Sequence, residues 1–305
     1  MTESATVTGS VTVRVPAKVN VQLAVGAARP DGFHDLANVF LAVGLYDEVT
    51  AVPADELTIT CSGPDAAQVP LDRSNLAARA ALALAERYGI EPAVHLHIAK
   101  DIPVAGGMAG GSADGAAALL ACDALWSTGA SREELLEICA ELGSDVPFSL
   151  IGGAALGTGR GELLTPVETG GTFHWVFAVA DGGLSTPVVF GEFDRLTAGT
   201  DVPEPAAAPA LLDALASGDP VALAKTLSND LQAAALSLRP SLAATLAAGT
   251  DAGALAALVS GSGPTTAFLV PDPETAHRVA AALTASGTCR TARVAVSPAP
   301  GATVV

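Results

Sequence analysis

The sequence contains few aromatic residues, little lysine, no paired cysteines and no long apolar run. Only 4% of its 305 residues are aromatic while 50% are hydrophobic, so we expect a core built mainly from Ala, Val and Leu. Charged residues, glycine or proline interrupt every apolar stretch before it reaches the ~18 residues that a membrane-spanning helix needs. The first residues also lack the basic and apolar segments of a secretory signal. Together these absences predict a soluble cytoplasmic protein.

The four cysteines, Cys61, Cys122, Cys139 and Cys289, are far apart in the sequence, and none belongs to a CxxC pair. Zinc ribbons and dithiol redox sites need such pairs, so neither kind of site is expected. We predict free thiols that are buried as small hydrophobic side chains.

Acidic residues outnumber basic ones by 32 to 15, which gives a formal net charge of −17. Most of the surface should therefore repel polyanions, and we expect neither nucleic acid nor an anionic membrane as a partner. A phosphate-bearing small molecule would have to find a local positive site. The chain has only three lysines, Lys18, Lys100 and Lys225, so the position of each is informative.

Strand-like and helix-like segments are interleaved along the whole chain, which predicts an α+β fold with mixed sheets. Apolar alternation indicates strands in the first sixty residues and at 94–98, 153–158, 162–167, 173–180, 265–270 and 290–296. Helices are predicted over 75–88, from about 112, after the capping-box pair Ser131 and Glu134, across much of 209–257, and from 273. Residues 143–148 are predicted as a loop and the proline-rich residues 198–209 as an exposed connector.

The strongest local signal is the glycine-rich segment IPVAGGMAGGSAD at residues 102–114, which lies between a predicted strand and an Ala-rich helix. Glycines let the backbone approach a ligand closely, and the free N–H groups at the start of the helix favour a phosphate. No Gly-Lys-Ser/Thr follows, and the Gly-x-Gly-x-x-Gly spacing is missing, so neither a Walker loop nor a dinucleotide site is indicated. From composition alone, a tight strand-to-helix turn stays a serious alternative.

Two further segments, VPAKVN at 15–20 and VSGSGPT at 259–265, complete a three-motif pattern in chain order. With these motifs the chain resembles the small-molecule kinases of the galactokinase, homoserine kinase, mevalonate kinase and phosphomevalonate kinase superfamily. Within it the chain resembles the 4-diphosphocytidyl-2-C-methyl-D-erythritol kinase family, through PAKVN at 16–20, DGFH at 31–34, GSDVPF at 143–148 and TPVVF at 186–190. The resemblance extends from residue 16 to residue 268.

The resemblance implies a two-lobed fold, with an N-terminal lobe like ribosomal protein S5 domain 2 and a ferredoxin-like α+β C-terminal lobe. We place the N-terminal ATP-binding lobe at residues 1–160 and the C-terminal lobe at 161–305. The implied reaction transfers the γ-phosphoryl group of ATP, with Mg²⁺, to the 2-hydroxyl of a cytidine diphosphate-linked polyol. This reaction belongs to the non-mevalonate route to isoprenoid precursors.

By the same resemblance, Asp145 accepts the proton of the acceptor hydroxyl, and Lys18 keeps that carboxylate ionised and polarises the hydroxyl. From sequence alone, Asp145 could equally be a turn aspartate in solvent and Lys18 a surface lysine. The resemblance, and the position of two of the three lysines in or beside motifs, favour the catalytic interpretation.

The resemblance assigns the ATP phosphates to the glycine-rich loop, with the hydroxyl of Ser112 available to phosphate or to magnesium. The predicted nucleotide-binding residues of this loop are Pro103, Val104, Ala105, Gly106, Gly107, Met108, Ala109, Gly110, Gly111, Ser112 and Ala113. Lys100, Asn75 and Leu76 match family positions near the adenine. An N-cap asparagine and a lysine before a loop also have purely structural explanations.

The cytidyl group is assigned to Phe33, His34 and Phe190, because two aromatic rings can enclose a flat base and an imidazole can bind its edge. For a lone phenylalanine, packing in the core is the commoner role. The remaining predicted acceptor-binding residues are Asn20, Thr186, Pro187, Gly261, Ser262 and Gly263, the last three forming a second glycine-rich turn that closes the site.

The chain departs from the family pattern at a few positions. Phe33 stands where tyrosine is frequent, and Ala109 and Ala113 replace a glycine and a serine of the phosphate loop, so one close backbone approach and one hydroxyl contact are in doubt. Three other functions stay open: another kinase of the superfamily, acting on homoserine or mevalonate; a non-catalytic ligand sensor on the same fold; and a Rossmann-type oxidoreductase, which the missing fingerprint disfavours.

Overall fold

The computed structural model describes residues 9–104 and 106–305. Within these ranges there are twelve strands: β1 (Val11–Ala28), β2 (His34–Pro53), β3 (Thr58–Ser62), β4 (Val94–Ala99), β5 (Ala154–Thr158), β6 (Leu163–Pro166), β7 (Phe173–Val179), β8 (Ser228–Asn229), β9 (Ala256–Val259), β10 (Thr266–Val270), β11 (Thr291–Ser297) and β12 (Thr303–Val304). Ten α-helices lie in the same ranges: α1 (Leu76–Tyr88), α2 (Gly110–Trp126), α3 (Arg132–Leu142), α4 (Val146–Ile151), α5 (Thr186–Thr197), α6 (Pro209–Ser217), α7 (Pro220–Ala224), α8 (Gln232–Leu238), α9 (Leu242–Asp251) and α10 (Pro273–Ser286).

The first sheet is built around the long antiparallel hairpin of β1 and β2, with strand order β12-β1-β2-β4-β3. The short strands β5 and β8 pair with β2 and β1, and β6 pairs with β5. On β1 the apolar residues Val13, Val15, Ala17 and Val19 are all buried, as is the alternate polar residue Lys18. Strand alternation therefore points one face of β1 at the core beneath α2 and leaves the other for polar, buried side chains.

The second sheet is antiparallel, with strand order β11-β7-β10-β9. In chain order this is a β-α-β-β-α-β arrangement, in which α10 joins β10 to β11 and packs on the sheet. Phe268, Val270, Val279 and Leu283 fill the layer between them. The predicted α+β class and the two-lobed fold with a ferredoxin-like second lobe are confirmed. The boundary predicted between residues 160 and 161 lies between β5 and β6, and it stays a prediction.

The helix ends follow local sequence signals. Asn75 caps α1 by accepting a hydrogen bond from the N–H of Ala77, and Ser131 and Glu134 form the predicted capping box at α3. The loop predicted at 143–148 is wrong in part, because α4 begins at Val146 with Asp145 as its N-cap residue and proline in its first turn. Proline is well tolerated there because the N–H it lacks would have no partner in the helix. Between α5 and α6, residues 198–208 contain no helix or strand.

All four cysteines are free thiols, as predicted. Cys122 and Cys139 are buried, whereas Cys61 and Cys289 are only half-buried. Burial raises the pKa of the Cys122 thiol to about 12. None of the described helices combines the length and the hydropathy that a membrane span requires.

Candidate active site

A cavity of about 730 Å³ lies where β1, the start of α2, α5 and the turn at 261–263 meet. Segments that are far apart in the sequence line it together. The predicted site residues on its wall are Lys18, Asn20, Phe33, His34, Leu76, Gly106, Gly107, Ala109, Gly110, Gly111, Ser112, Asp145, Thr186, Pro187, Phe190, Gly261, Ser262 and Gly263. The fold thus brings most of the predicted residues to one place.

One backbone carbonyl connects the three motifs. The oxygen of Gly107 accepts hydrogen bonds from Lys18 Nζ at 2.9 Å and from Ser260 Oγ at 3.1 Å. Lys18 belongs to the first motif, Gly107 to the glycine-rich loop and Ser260 to the third motif. A β-carbon on Gly107, whose φ is +75°, would lie 2.0 Å from the carbonyl oxygen of Ser260, so only glycine fits. The relative position of the three motifs therefore depends on this contact.

The glycine-rich loop leads directly into the N-terminus of α2. Gly110, Gly111 and Ser112 are its first three residues, and their N–H groups have no partner one turn earlier in the helix. All three residues line the cavity. A β-carbon on Gly111 would meet only Leu76 Cδ1, at 3.8 Å, so the surface there is open to a ligand. Donors of this kind at the positive end of a helix favour a phosphate group.

Ala109, the N-cap residue of α2, has the left-handed backbone conformation, with φ of 60°. This conformation costs an alanine roughly 1 kcal/mol and costs glycine almost nothing. The geometry explains why a glycine suits this position, and it shows that the alanine of this chain keeps the turn despite the strain.

Lys18 and Asp145 face each other across the cavity wall. Lys18 Nζ lies 3.7 Å from Asp145 Oδ2, and it also donates a 2.7 Å hydrogen bond to Asn20 Oδ1. The Lys18 side chain is 6% exposed and the Asp145 side chain is 32% exposed. Burial lowers the pKa of Lys18, and the nearby charge of Asp145 only partly opposes this effect. The Asp145 carboxylate is therefore accessible to a ligand, while the buried Lys18 ammonium group forms an ion pair with it.

Asn20 continues this network. Its Nδ2 donates a 2.7 Å hydrogen bond to Asn38 Oδ1, and Asn38 also lines the cavity. Lys18, Asn20 and Asn38 thus form one chain of hydrogen bonds that holds the ammonium group in place.

Lys100 lies in the core and does not line the cavity. Its ammonium group binds the carboxylates of Asp47 and Asp114, the latter at 2.8 Å, and all three residues are buried. Burial alone would lower the pKa of Lys100, but the charges of Asp114 and Asp47 outweigh it and the pKa is raised. Asp47 also accepts hydrogen bonds from the backbone N–H groups of Asp101 and Ile102, so the cluster fixes the chain just before the glycine-rich loop.

Phe33, His34 and Phe190 form an aromatic part of the cavity wall. Phe33 is 50% exposed, and the rings of His34 and Phe190 lie 5.0 Å apart between centroids. His34 is buried, and its Nε2 lies 2.8 Å from Asp194 Oδ1, which fixes the orientation of the imidazole. Phe33 is thus not a core residue, and the Nδ1 of His34 makes no hydrogen bond to the described residues.

Six predicted residues lie away from the cavity wall. Met108 and Ala113 are buried in the hydrophobic core, Asn75 caps α1, and Lys100 belongs to the buried cluster. Pro103 and Val104 precede the part of the loop that reaches the cavity. The predicted contact at Ala105 falls outside the described residues. Nucleotide binding by these positions stays a prediction.

Sequence reasoning missed two charged residues on the wall, Arg160 and Asp194. Arg160 lies in the glycine-flanked turn between β5 and β6, and Asp194 lies one turn after Phe190 on α5. The helical spacing of Phe190 and Asp194, and a lone arginine between two glycines, are the signals that could have indicated them.

No cluster of three or more metal-binding side chains is present among the described residues. The cavity nevertheless offers a hydroxyl at Ser112, at the start of α2. One such oxygen fits a magnesium ion that arrives with nucleotide phosphates, because Mg²⁺ usually takes few protein ligands and completes its shell with phosphate and water.

Comparison with known families agrees with this geometry. A family described as the GHMP kinases N terminal domain matches residues 75–153, and one described as the GHMP kinases C terminal matches residues 211–289. A 4-diphosphocytidyl-2-C-methyl-D-erythritol kinase from Streptomyces avermitilis is 81% identical over 97% of this chain and 100% of its own length. The enzyme of the same name from Thermobifida fusca is 60% identical over 97% of this chain and 98% of its own.

Solved structures show the same relationship. The crystal structure of a 4-(cytidine 5'-diphospho)-2C-methyl-D-erythritol kinase matches 94% of this chain and 99% of its own with a TM-score of 0.76 and 32% identity. A homoserine kinase from Cytophaga hutchinsonii matches 100% of this chain and 99% of its own with a TM-score of 0.71, but at 20% identity it shows the fold alone.

Proposed function

The chain belongs to the 4-diphosphocytidyl-2-C-methyl-D-erythritol kinase family of the GHMP kinases, and on this premise we propose the reaction that its cavity performs. It transfers the γ-phosphoryl group of ATP to the 2-hydroxyl of 4-diphosphocytidyl-2-C-methyl-D-erythritol, a step in the synthesis of isoprenoid precursors by the non-mevalonate route. The cytoplasmic location expected from the sequence stays a prediction.

One observation carries the proposal. Asp145, with Lys18 at 3.7 Å, lines the same cavity as the N-terminus of α2 and the aromatic residues Phe33, His34 and Phe190. A phosphate donor at α2 and an acceptor at these aromatic residues would then both reach the carboxylate. Phosphoryl transfer depends mainly on this kind of positioning and on neutralising charge.

Asp145 takes the proton of the acceptor hydroxyl as the oxygen attacks the γ-phosphorus. A bond forms between that oxygen and the phosphorus, the bond from the phosphorus to the β–γ bridging oxygen breaks, and ADP leaves with the electron pair. Lys18 stabilises the ionised carboxylate and the developing negative charge on the attacking oxygen. Its position is held by Asn20 and by the Gly107 carbonyl.

The ATP phosphates lie against the N–H groups of Gly110, Gly111 and Ser112. The loop backbone and the helix dipole supply the positive potential that a protein of net charge −17 lacks elsewhere. Ser112 is the residue that would hold magnesium, which neutralises charge on the transferring phosphate when it is bound.

The cytosine of the acceptor binds between Phe33 and Phe190, with His34 at its edge. Phe33 is half exposed and Phe190 half buried, so both rings have surface available for a planar base. Asp194 orients the imidazole of His34 by its 2.8 Å contact. These three aromatic side chains distinguish a nucleotide-linked acceptor from homoserine or mevalonate, which have no base to stack.

The proposal is tested by measuring ATP consumption with purified protein and a panel of acceptors. We expect turnover with 4-diphosphocytidyl-2-C-methyl-D-erythritol and none above background with homoserine, mevalonate or galactose. Turnover of one of the smaller alcohols instead would assign the protein to another branch of the kinases. Binding of the acceptor with no turnover in the presence of ATP and Mg²⁺ would favour the ligand sensor.

A further inference from the structure

The turn between β5 and β6 places one arginine on the wall of the cavity. The backbone oxygen of Gly159 accepts a 2.8 Å hydrogen bond from the N–H of Leu36, two residues after His34. On its other side, a β-carbon on Gly161 would lie 4.0 Å from the Cβ of Ser144, the residue before Asp145. Arg160, between these two glycines, is therefore close both to the strand that begins at His34 and to the residue before Asp145.

The guanidinium group of Arg160 is available to a ligand. Its side chain is 40% exposed, and its Cζ lies 5.2 Å from the centroid of the Phe33 ring. Its closest acidic partner is Glu162, at 3.8 Å, and among the described residues its guanidinium makes no hydrogen bond. Arg14, in contrast, donates two hydrogen bonds to Glu48.

The other charged residues of the cavity make an exposed cation necessary for binding an anion. The lining residues that carry permanent charge are Lys18, Arg160, Asp145 and Asp194, within the described part of the chain. Lys18 is buried, bound to Asn20 and the Gly107 carbonyl, and close to Asp145, so its charge acts at the catalytic carboxylate and the attacking oxygen. An anionic group in the middle of the cavity would meet two carboxylates, and Arg160 is the exposed cation that could offset them.

We propose that Arg160 binds the diphosphate of the nucleotide-linked acceptor and so determines specificity for a diphosphate between base and polyol. This inference rests on the proposed function. With the base at Phe33 and the reacting hydroxyl at Asp145, the diphosphate that joins them has to pass the turn at residues 159–161. A guanidinium group presents paired N–H donors that match the oxygens of a phosphate, and it can bind them while it stays over the Phe33 ring.

The test compares Arg160→Gln and Arg160→Lys with the matched control Arg14→Gln. Arg14 is also an exposed arginine over an aromatic ring, at 5.7 Å from the Tyr46 centroid, and it pairs with a glutamate, but it lies outside the cavity. The wild type and the three variants are titrated with CDP and with cytidine by calorimetry. A non-hydrolysable ATP analogue is bound during the titration, so that the nucleotide site is occupied. KM and kcat are then measured for the acceptor and for ATP.

We expect Arg160→Gln to weaken CDP binding and to raise the acceptor KM by about tenfold, the effect of losing one charge-assisted hydrogen bond at a partly exposed site. Cytidine binding and the KM for ATP should not change. Arg160→Lys should recover part of the loss, because it restores the charge without the paired donors. Arg14→Gln should behave as the wild type.

Unchanged CDP binding in Arg160→Gln would overturn the proposal. An equal loss for cytidine and CDP would also overturn it, because Arg160 would then act only by supporting Phe33. If the wild-type protein does not phosphorylate the cytidyl acceptor, the proposed function fails and this inference fails with it. If the wild type turns over the acceptor and Arg160→Gln has the same CDP affinity and acceptor KM, the role of Arg160 is rejected while the proposed function stands.

Discussion

The neighbourhoods of Lys18 and Lys100 differ although both lysines are buried and both lie against the glycine-rich loop. Lys18 has one carboxylate at 3.7 Å, and burial lowers its pKa. Lys100 is held between two carboxylates, whose charges overcome burial and raise its pKa. Lys18 lines the candidate active-site cavity, whereas Lys100 does not and lies against the first turn of α2.

This difference distinguishes Lys18, whose ammonium group can interact with a ligand, from Lys100, whose ammonium group stabilises the fold. An ammonium group that is fully paired has no capacity left for a ligand, and its charge is worth most to the folded state. An ammonium group with a single, longer ion pair keeps an unsatisfied charge next to the cavity, which is where a developing negative charge can use it. Burial alone therefore does not identify a catalytic lysine, and the number and distance of its partners do.

Removing the carboxylate beside Lys18 should have the largest effect on turnover. Asp145→Asn keeps the shape of the side chain but removes the proton acceptor, so we expect kcat to fall by ~10²–10⁴. ATP affinity should stay within a few-fold of the wild type, as measured by calorimetry. The control is Asp101→Asn, next to Lys100 in the sequence and paired with Arg293 outside the cavity. Near wild-type turnover in Asp145→Asn would remove the catalytic assignment.

Replacing each lysine by methionine should have opposite effects: Lys100→Met should mainly lower stability, and Lys18→Met should mainly lower turnover. Lys100→Met leaves two buried carboxylates without their cation, and breaking such a pair costs about 3–5 kcal/mol of unfolding free energy. Lys18→Met should cost much less stability, because burial already disfavours its charge, yet it should abolish most turnover.

Urea unfolding and initial rates measure both effects, and the exposed Lys225→Met serves as the control, with a change within about 0.5 kcal/mol. A greater loss of stability in Lys18→Met than in Lys100→Met would reverse the comparison.

Turnover and stability should be lost in different pH ranges, because the pKa values of Lys18 and Lys100 are shifted in opposite directions. Because burial lowers the pKa of Lys18, kcat should fall on the alkaline side below the ordinary lysine value of 10.5. The pKa of Lys100 is raised, so its contribution to stability is fully present below the unfolded value and is lost only above it. Turnover should therefore decline while the protein stays folded, as followed by circular dichroism. The residual activity of Lys18→Arg should not decline at alkaline pH. If the decline persists in Lys18→Arg, a group other than Lys18 causes it.

The smallest effect is expected at Ala109, which lies between the two neighbourhoods. Its left-handed backbone suits glycine, so Ala109→Gly should change the unfolding free energy favourably, by up to ~1 kcal/mol. Ala113→Gly is the matched control, because the same exchange inside α2 should lower stability by about 1 kcal/mol. Equal losses in both variants would mean that residue 109 is not strained.

Much of the site could be predicted because its residues lie in compact motifs. Lys18 and Asp145 were found in this way, and the cavity brings them together. The structural role of Lys100 also has a signal in the sequence. Val94, Leu96 and Ile98 form the buried face of β4, and Lys100 continues that alternation into the core. A lysine in phase with buried residues needs carboxylate partners, and these partners come from distant segments.

Local patterns indicate Arg160 and Asp194 only weakly, through an arginine between two glycines and the helical spacing from Phe190 to Asp194. Neither belongs to a motif, and each gains its meaning from a residue far away in the chain, Phe33 for Arg160 and His34 for Asp194. The helix α4 was also missed, because a proline two residues after Asp145 resembles a loop signal until the helix start is seen.

By itself the sequence determined the α+β class, the capped helices and the family, and it predicted a phosphate-binding role for the glycine-rich loop. These depend on periodicity, on caps and on short motifs, all of which are local along the chain. Only the tertiary structure decided which lysine faces the cavity, which carboxylates neutralise the other, and that Arg160 lies over the Phe33 ring. Such questions depend on contacts between residues far apart in the sequence, such as His34 and Asp194, which are 160 positions apart, and local sequence patterns carry no record of those contacts.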